Sequence, residues 1–449
     1  MFRKLLVLSI AVFLAAPLAA QEIAVTVYNN NLGVVSETRK LDFVKGIDRL
    51  AFRDVPKQID PNSVRFEVLD GSDHVSILEQ NYAYDLVSSD QLYNKYVDNE
   101  VQLLDEQGRL YSGTLLAYDR GAITLMEPGG KVKIVSMEQV TEVSFPMLPD
   151  GLITRPTLFW KYQSDHQGSL NCRVGYQTGG LTWSAEYVGV LDKNETSLGL
   201  SGWSSINNTS GKTYTDAKLK LIAGDIHRAQ KGPAVRGDFA KMSLAEAAPG
   251  FEQKPFFEYH MYTLPRKATI ADKEIKQISL FNPAEAGVTK TYLYQPDQNA
   301  EDVNVNVKFK NSTEAGLGMP LPAGRMRVFK ADDDGSLILL GEDWIDHTPR
   351  NEEVTITVGT AFDIKGEQTM TERTRISQQV EDRRWEIEVR NHKKEDITVT
   401  VEKNLWGSWE VLESSQQYKK KDANHIQFEL PVKADGTSVI KLAVRITNR

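Results

Sequence analysis

LNCRVGYQTGGLTWSAEYVGVLDKNETSLGLSGWSSINNTSGKTYTDAKLKLIAGD, residues 170–225, decides the fold class. Cys172, Val174 and Tyr176 alternate with Asn171, Arg173 and Gly175, the two-residue period of a strand with one buried face. Gly179 and Gly180 suit a tight reversal, because glycine takes positive φ without cost. Trp183, Ala185 and Tyr187 then share one face of the returning strand. Asp192, Lys193 and Asn194 form the next turn, Leu198 and Leu200 open another strand, and 218–222 another. The stretch predicts four or five short strands joined by turns. It specifies an architecture, not an activity.

The same rhythm extends outward. Ile23, Val25 and Val27 alternate, and further strands follow at 41–43, 50–52 and 64–68, punctuated by Asn29–Asn31, Gly46, Pro61 and Gly71. Spacing of this kind suggests a small β-sandwich. Residues 85–96 are the one helix-like interruption, with Ser88 or Ser89 as cap and Leu92 and Tyr96 on one face. Residues 96–146 read as five strands with turns at Gly108, Gly121 and Gly129–Gly130, the pattern of an SH3-like or Sm-like barrel. Asp333, Asp334 and Gly335 form a hairpin turn between 327–330 and 337–340. In the last segment Trp385, Ile387 and Val389, then Ile397, Val399 and Val401, then Ile426, Phe428 and Leu430 alternate, as in an immunoglobulin-like module.

The expectation is an all-β, multi-domain β-sandwich of immunoglobulin-like modules with a small barrel inserted near the N-terminus. Its divisions are a leader at 1–20, a sandwich at 21–95, the barrel at 96–146, a central sandwich at 147–379 and an immunoglobulin-like domain at 380–449. Residues 229–255, rich in small residues, Gly and Pro, read as a long exposed loop where binding can reside.

Arg3 and Lys4 precede an apolar run from 5 to 16, and Ala19 and Ala20 offer a cleavage site, so an export signal is expected. No later run is long enough to span a bilayer. Loss of Arg3 and Lys4 takes the formal charge of −8 further negative, against nucleic acid or anionic lipid as partner. Cys172 is the only cysteine, so no internal disulfide forms, and its place on an apolar face predicts burial.

Motifs for chemistry are scarce. The seven histidines form neither HExxH nor His-x-His. Asp332, Asp333, Asp334 and Asp343 lack calcium-loop spacing and read as a solvated turn. Residues 202–206 lack the second glycine of a nucleophile elbow, and no Walker or GxGxxG loop is present. Asn194 and Asn208 head glycosylation-type triplets that read as turns. Trp203, Trp344, Trp385, Trp406 and Trp409 could stack on sugars, but in a sandwich they read first as core. The stretch FFEYHMY, 256–262, is richer. Glu258, His260 and Tyr262 fall on one face, with Phe257, Tyr259 and Met261 on the other. Such a strand is buried between sheets or presents one face to a ligand, which makes Phe256, Glu258, His260 and Tyr262 the candidate binding residues.

VTVYNNNLGVV, LAFRDVPKQIDPNSVRF, GGLTWSAEYVGVL, FFEYHMYTLPR, GLGMPLPAGRMRVFKADDDGSLILLGEDWIDHTP and WEIEVRNHKKEDITVTVEKNLWGSWEVLESS together resemble the bacterial domain-of-unknown-function family numbered 4139. The resemblance runs over nearly the whole chain after the leader. It implies an exported β-rich protein, with no catalytic residue to carry over. The combined reading is a non-catalytic binding or scaffold protein of the cell envelope, periplasmic or secreted, without cofactor or metal. Its expected partner is an envelope protein or a glycan, met through edge strands. The alternative is a hydrolase with a site assembled between domains around His260.

Overall fold

The computed structural model describes residues 22–70, 74–84, 88–119, 121–147, 153–224 and 259–447, and the backbone of 252–256. The expected leader and most of the loop at 229–255 lie outside them. The end of that loop is strand: Glu252–Phe256 pairs antiparallel with Tyr259–Thr263.

The chain is all-β and built from several sheets. Leu181–Leu191 alternates without a break, with Leu181, Trp183, Ala185, Tyr187 and Leu191 buried. It pairs antiparallel with Ser197–Asn208 through the turn at Asp192 and parallel with Gly324–Ala331, within a fourteen-stranded sheet. The preceding strand, Gly168–Thr178, belongs to a different, eight-stranded sheet, paired with Leu32–Phe43 and Ile59–Val68. Gly179 and Gly180 therefore make a corner from sheet to sheet, which corrects the expected hairpin. Gly180 has φ of 75°, and a Cβ there would lie 2.6 Å from the Ser210 backbone. Only glycine fits both demands.

Glu22–Tyr28 lies between Leu32–Phe43 and Tyr214–Ala223, parallel to the latter. A three-stranded sheet places Thr157–Ser164 between Gly46–Arg53 and Val75–Ala83. Both sheets and the fourteen-stranded one share one core, which joins Val25, Val35, Trp160, Tyr176, Trp183, Tyr187, Leu219, Met326 and Ile356. Residues 22–83 thus lie in sheets and a core shared with strands far downstream. Polar ends of buried rings are met, as burial requires: Trp160 Nε1 donates to Gln80 Oε1 at 2.8 Å, Trp183 Nε1 to the Ile222 carbonyl at 2.9 Å and Tyr187 Oη to the Pro322 carbonyl at 2.8 Å.

A second core contains Tyr292, Tyr294, Ile364, Trp385, Ile387, Val399, Phe428 and Val444. Three strands run through both cores. Ala284–Tyr294 puts Ala286 in the first and Tyr294 in the second, Asp302–Lys310 puts Phe309 in the first and Val303 in the second, and Glu353–Arg375 puts Ile356 in the first and Ile364 in the second.

The helix Ser89–Tyr96 is capped by Ser88, whose side chain accepts from Gln91 N at 3.2 Å. It precedes a five-stranded antiparallel sheet in which Val140–Ser144, Glu100–Asp105, Leu110–Tyr118, Ala122–Met126 and Val132–Ser136 lie in that spatial order, over its own core of Tyr93, Leu103, Leu115 and Leu125. A 3-10 turn at Met137–Gln139 carries the chain between the two edge strands. No ladder joins those edges among the described residues, so the expected barrel is an open sheet.

Candidate binding surface

The hairpin turn expected at Asp333–Gly335 is present. Asp332 N donates to the Ser336 carbonyl at 2.8 Å, Asp334 Oδ1 accepts from Ser336 N at 2.8 Å, and Gly335 has φ of 85°. It joins Gly324–Ala331 to Leu337–Ile345, the strand at one end of the fourteen-stranded sheet. Successive strand residues point to opposite faces, so a half-buried edge strand would expose every second residue. Here Leu337, Ile338, Leu339 and Leu340 are 56, 50, 49 and 37% exposed. Both faces of this end of the strand lie open to solvent. Trp344 on the same strand and Phe362 on Glu353–Arg375 are exposed as well.

The inner half of the strand is pinned. A Cβ on Gly341 would lie 2.0 Å from the Val358 carbonyl oxygen, so only glycine lets the two backbones approach this closely. Asp343 Oδ2 accepts from Thr357 N at 2.8 Å. Leu337–Leu340 is left as the free run, and among the described residues its strand pairs only with Gly324–Ala331.

Beneath Leu340 opens a cleft of about 270 Å³ lined by Val358, Phe362, Tyr292, Lys393 and Glu195. The buried Tyr292 hydroxyl has no hydrogen-bond partner. Glu195 binds Lys290 and, at 2.6 Å, Lys330. These hydrogen bonds, Lys290's first, hold its carboxyl below the usual range.

The residues singled out by the sequence lie elsewhere. Phe256 pairs by backbone with Tyr259, and Glu258 is outside the described residues. His260, half-buried, sits opposite Ala223 and Pro255. Burial, with His347 nearby, pushes its imidazole below the ordinary value. Tyr262 is buried, donates to the Pro320 carbonyl at 2.9 Å and meets the Trp183 ring edge-on at 6.0 Å. Met261 is buried too, so this strand has cover on both sides.

One ionic cluster is interior. Glu37 Oε1 accepts from Lys212 Nζ at 2.6 Å and from Tyr176 Oη, while Arg39 binds Oε2. Lys212 Nζ also donates to the Asp54 carbonyl at 2.6 Å. Burial would raise the Glu37 carboxyl, but Lys212, Arg39 and their hydrogen bonds outweigh it and hold the group ionised. Burial pushes Lys212 below its usual value, and Glu37 only partly offsets this. Glu37 and Lys212 are withdrawn from solvent, so the cluster reads as architecture, not as a reaction centre. Nearby, Asn208 is buried and ties the 208–212 turn through the Lys212 and Ile270 carbonyls. On the surface His74 and Asp165 meet at 2.7 Å beside His166, yet no group of three metal-binding side chains is assembled among the described residues.

Of the tryptophans expected in the core, Trp385 is buried and Trp409 partly so, whereas Trp203, Trp344 and Trp406 are exposed. Reading by period assigned them inward without knowing which sheet face lacked a cover. The free run escaped notice for the same reason. Its one signal was apolar residues at both parities after an acidic turn, opposite a strand that alternates charged and apolar residues.

Several packed, mostly antiparallel sheets, one of them ending in an open apolar edge, define an all-β protein. The family model described as domain of unknown function DUF4139 matches residues 172–448, and the chain belongs to that family. Before residue 172, Glu22–Tyr28, Leu32–Phe43 and Ile59–Val68 complete the eight-stranded sheet, whereas the three- and five-stranded sheets lie wholly before the matched region. No curated protein matches the chain.

Proposed function

We propose that this is a non-catalytic binding protein of the cell envelope, exported by its N-terminal leader, that takes up an extended segment of another envelope protein along the free run Leu337–Leu340. The supporting observation is the doubly exposed apolar edge. A strand added there would gain main-chain hydrogen bonds and cover side chains on both faces, each worth about 1.5–3 kcal/mol if fully buried. No described helix is long and apolar enough to cross a membrane.

The test is a photo-crosslinking amino acid placed at Ile338 and, as control, at exposed Ile134 on the five-stranded sheet, in the native cell. A defined segment of one envelope protein captured from position 338 only supports the reading. Capture that is equal at both positions, or none, refutes it. The second reading, a hydrolase using His260, draws on its lowered imidazole, which is neutral at pH 7 and able to accept a proton. His260→Gln with unchanged hydrolysis of envelope substrates would eliminate it.

A further inference from the structure

We infer that the partner segment is an apolar run flanked by basic residues, and that a second copy of this chain is not the occupant. This rests on the binding reading above and specifies its partner. Asp332, Asp333 and Asp334 stand at one end of the free run, and Glu342, Asp343 and Asp346 at the other. The cations of this ribbon are engaged. Lys330 binds Glu195 at 2.6 Å, and Arg327 is shared between Glu186 at 3.1 Å and Glu342 at 3.3 Å. Lys193 approaches Asp333 only at 3.8 Å.

A second copy meets this charge pattern badly in either direction. Antiparallel pairing centred on Leu339 sets Asp332 opposite Asp346 and brings Asp334 beside Asp343. Parallel pairing sets each acid beside its own copy. Like charges facing one another across a ladder are destabilising, so the ribbon guards an apolar edge against self-association. A segment with lysines or arginines at both ends meets acids at both ends, and the net negative chain steers it in.

The experiment uses the full chain and three fluorescent peptides, each with a central run of four valines and isoleucines. The flanks are two lysines, two serines or two glutamates on each side. Anisotropy should show the lysine-flanked peptide binding about tenfold more tightly than the serine-flanked one, with the glutamate-flanked one weakest. The preference should shrink as salt shortens the screening length from ~10 Å. It should also shrink in the Asp333→Asn, Asp334→Asn variant, whose turn keeps its side-chain acceptors. Equal affinity for all three peptides overturns the inference while leaving the binding reading intact. Self-association abolished by Ile338→Lys in sedimentation also overturns it. Binding of none, with Ile338→Lys silent, removes both.

Discussion

Glu37 and Lys212, 175 positions apart in the chain, meet at 2.6 Å with both side chains almost wholly out of water. The contact joins Leu32–Phe43 to the loop that leads into Tyr214–Ala223, and Tyr176 and Arg39 complete it. Removing one partner leaves an uncompensated interior charge. Lys212→Met should cost about 3–5 kcal/mol, and combining it with Glu37→Gln should return part of that loss. Denaturant unfolding of the two variants and their combination measures both effects.

Acid should act through the same carboxyl. Its folded-state value lies below the ordinary one, so its contribution is full above the unfolded value of about 4.5 and is lost as pH falls through the folded value. Thermal midpoints recorded from pH 6 downward, at roughly half-unit steps across that carboxylate range, should drop more steeply for the native protein than for Glu37→Gln. Parallel curves would show that the pair does not govern acid stability.

The lone thiol should be inert. Cys172 is fully buried, and burial, with Asp70 nearby, pushes its pKa to about 12. Thiolate is the reactive form, so a thiol reagent should label the native protein far more slowly than the denatured one. No disulfide-linked dimer should form under oxidation. Rapid native labelling would contradict this packing.

Gly341 controls the attitude of the free run. A side chain there collides with the Val358 carbonyl, so Gly341→Val should prise the ribbon from Glu353–Arg375, at a cost of about 1–3 kcal/mol. Asp343→Ala, which removes the acceptor for Thr357 N, should cost about 1 kcal/mol. Hydrogen exchange at Thr357 should rise in both variants while the Leu181–Leu191 amides stay protected.

A comparable test applies to the second core. A Cβ on Gly366 would lie 2.3 Å from the Tyr294 ring. Gly366→Ala should therefore destabilise the C-terminal strands by about 1–3 kcal/mol, seen as a lowered midpoint in limited proteolysis of that region.

Much of the strand content was legible because alternation reports a buried face directly. Leu181–Leu191, Val380–Asn391 and His425–Val432 carry that pattern plainly, and Ser88 and the Asp333–Gly335 turn announced themselves by local chemistry. Pairing was not legible. Nothing near Gly179 says that its two flanking strands enter different sheets, and nothing at Glu22–Tyr28 reveals a partner almost two hundred residues on. The open edge at Leu337–Leu340 was not legible for the same physical reason. A period distinguishes two faces of a strand, but exposure depends on whether another sheet covers them. FFEYHMY and SLILLGEDW are equally apolar by eye. The first supplies the covered Met261 and Tyr262, and the second supplies an open edge.

Three strands threading both cores have a mechanical consequence. A pull applied at the ribbon reaches Glu353–Arg375 through Gly341 and Asp343, and that strand is laced lengthwise to Asp302–Lys310 and then to Val380–Asn391. Load along it is borne in shear by many ladder bonds at once, not peeled away one by one. Stretched from the ribbon, this molecule is built to hold tension without parting at a joint between its two cores.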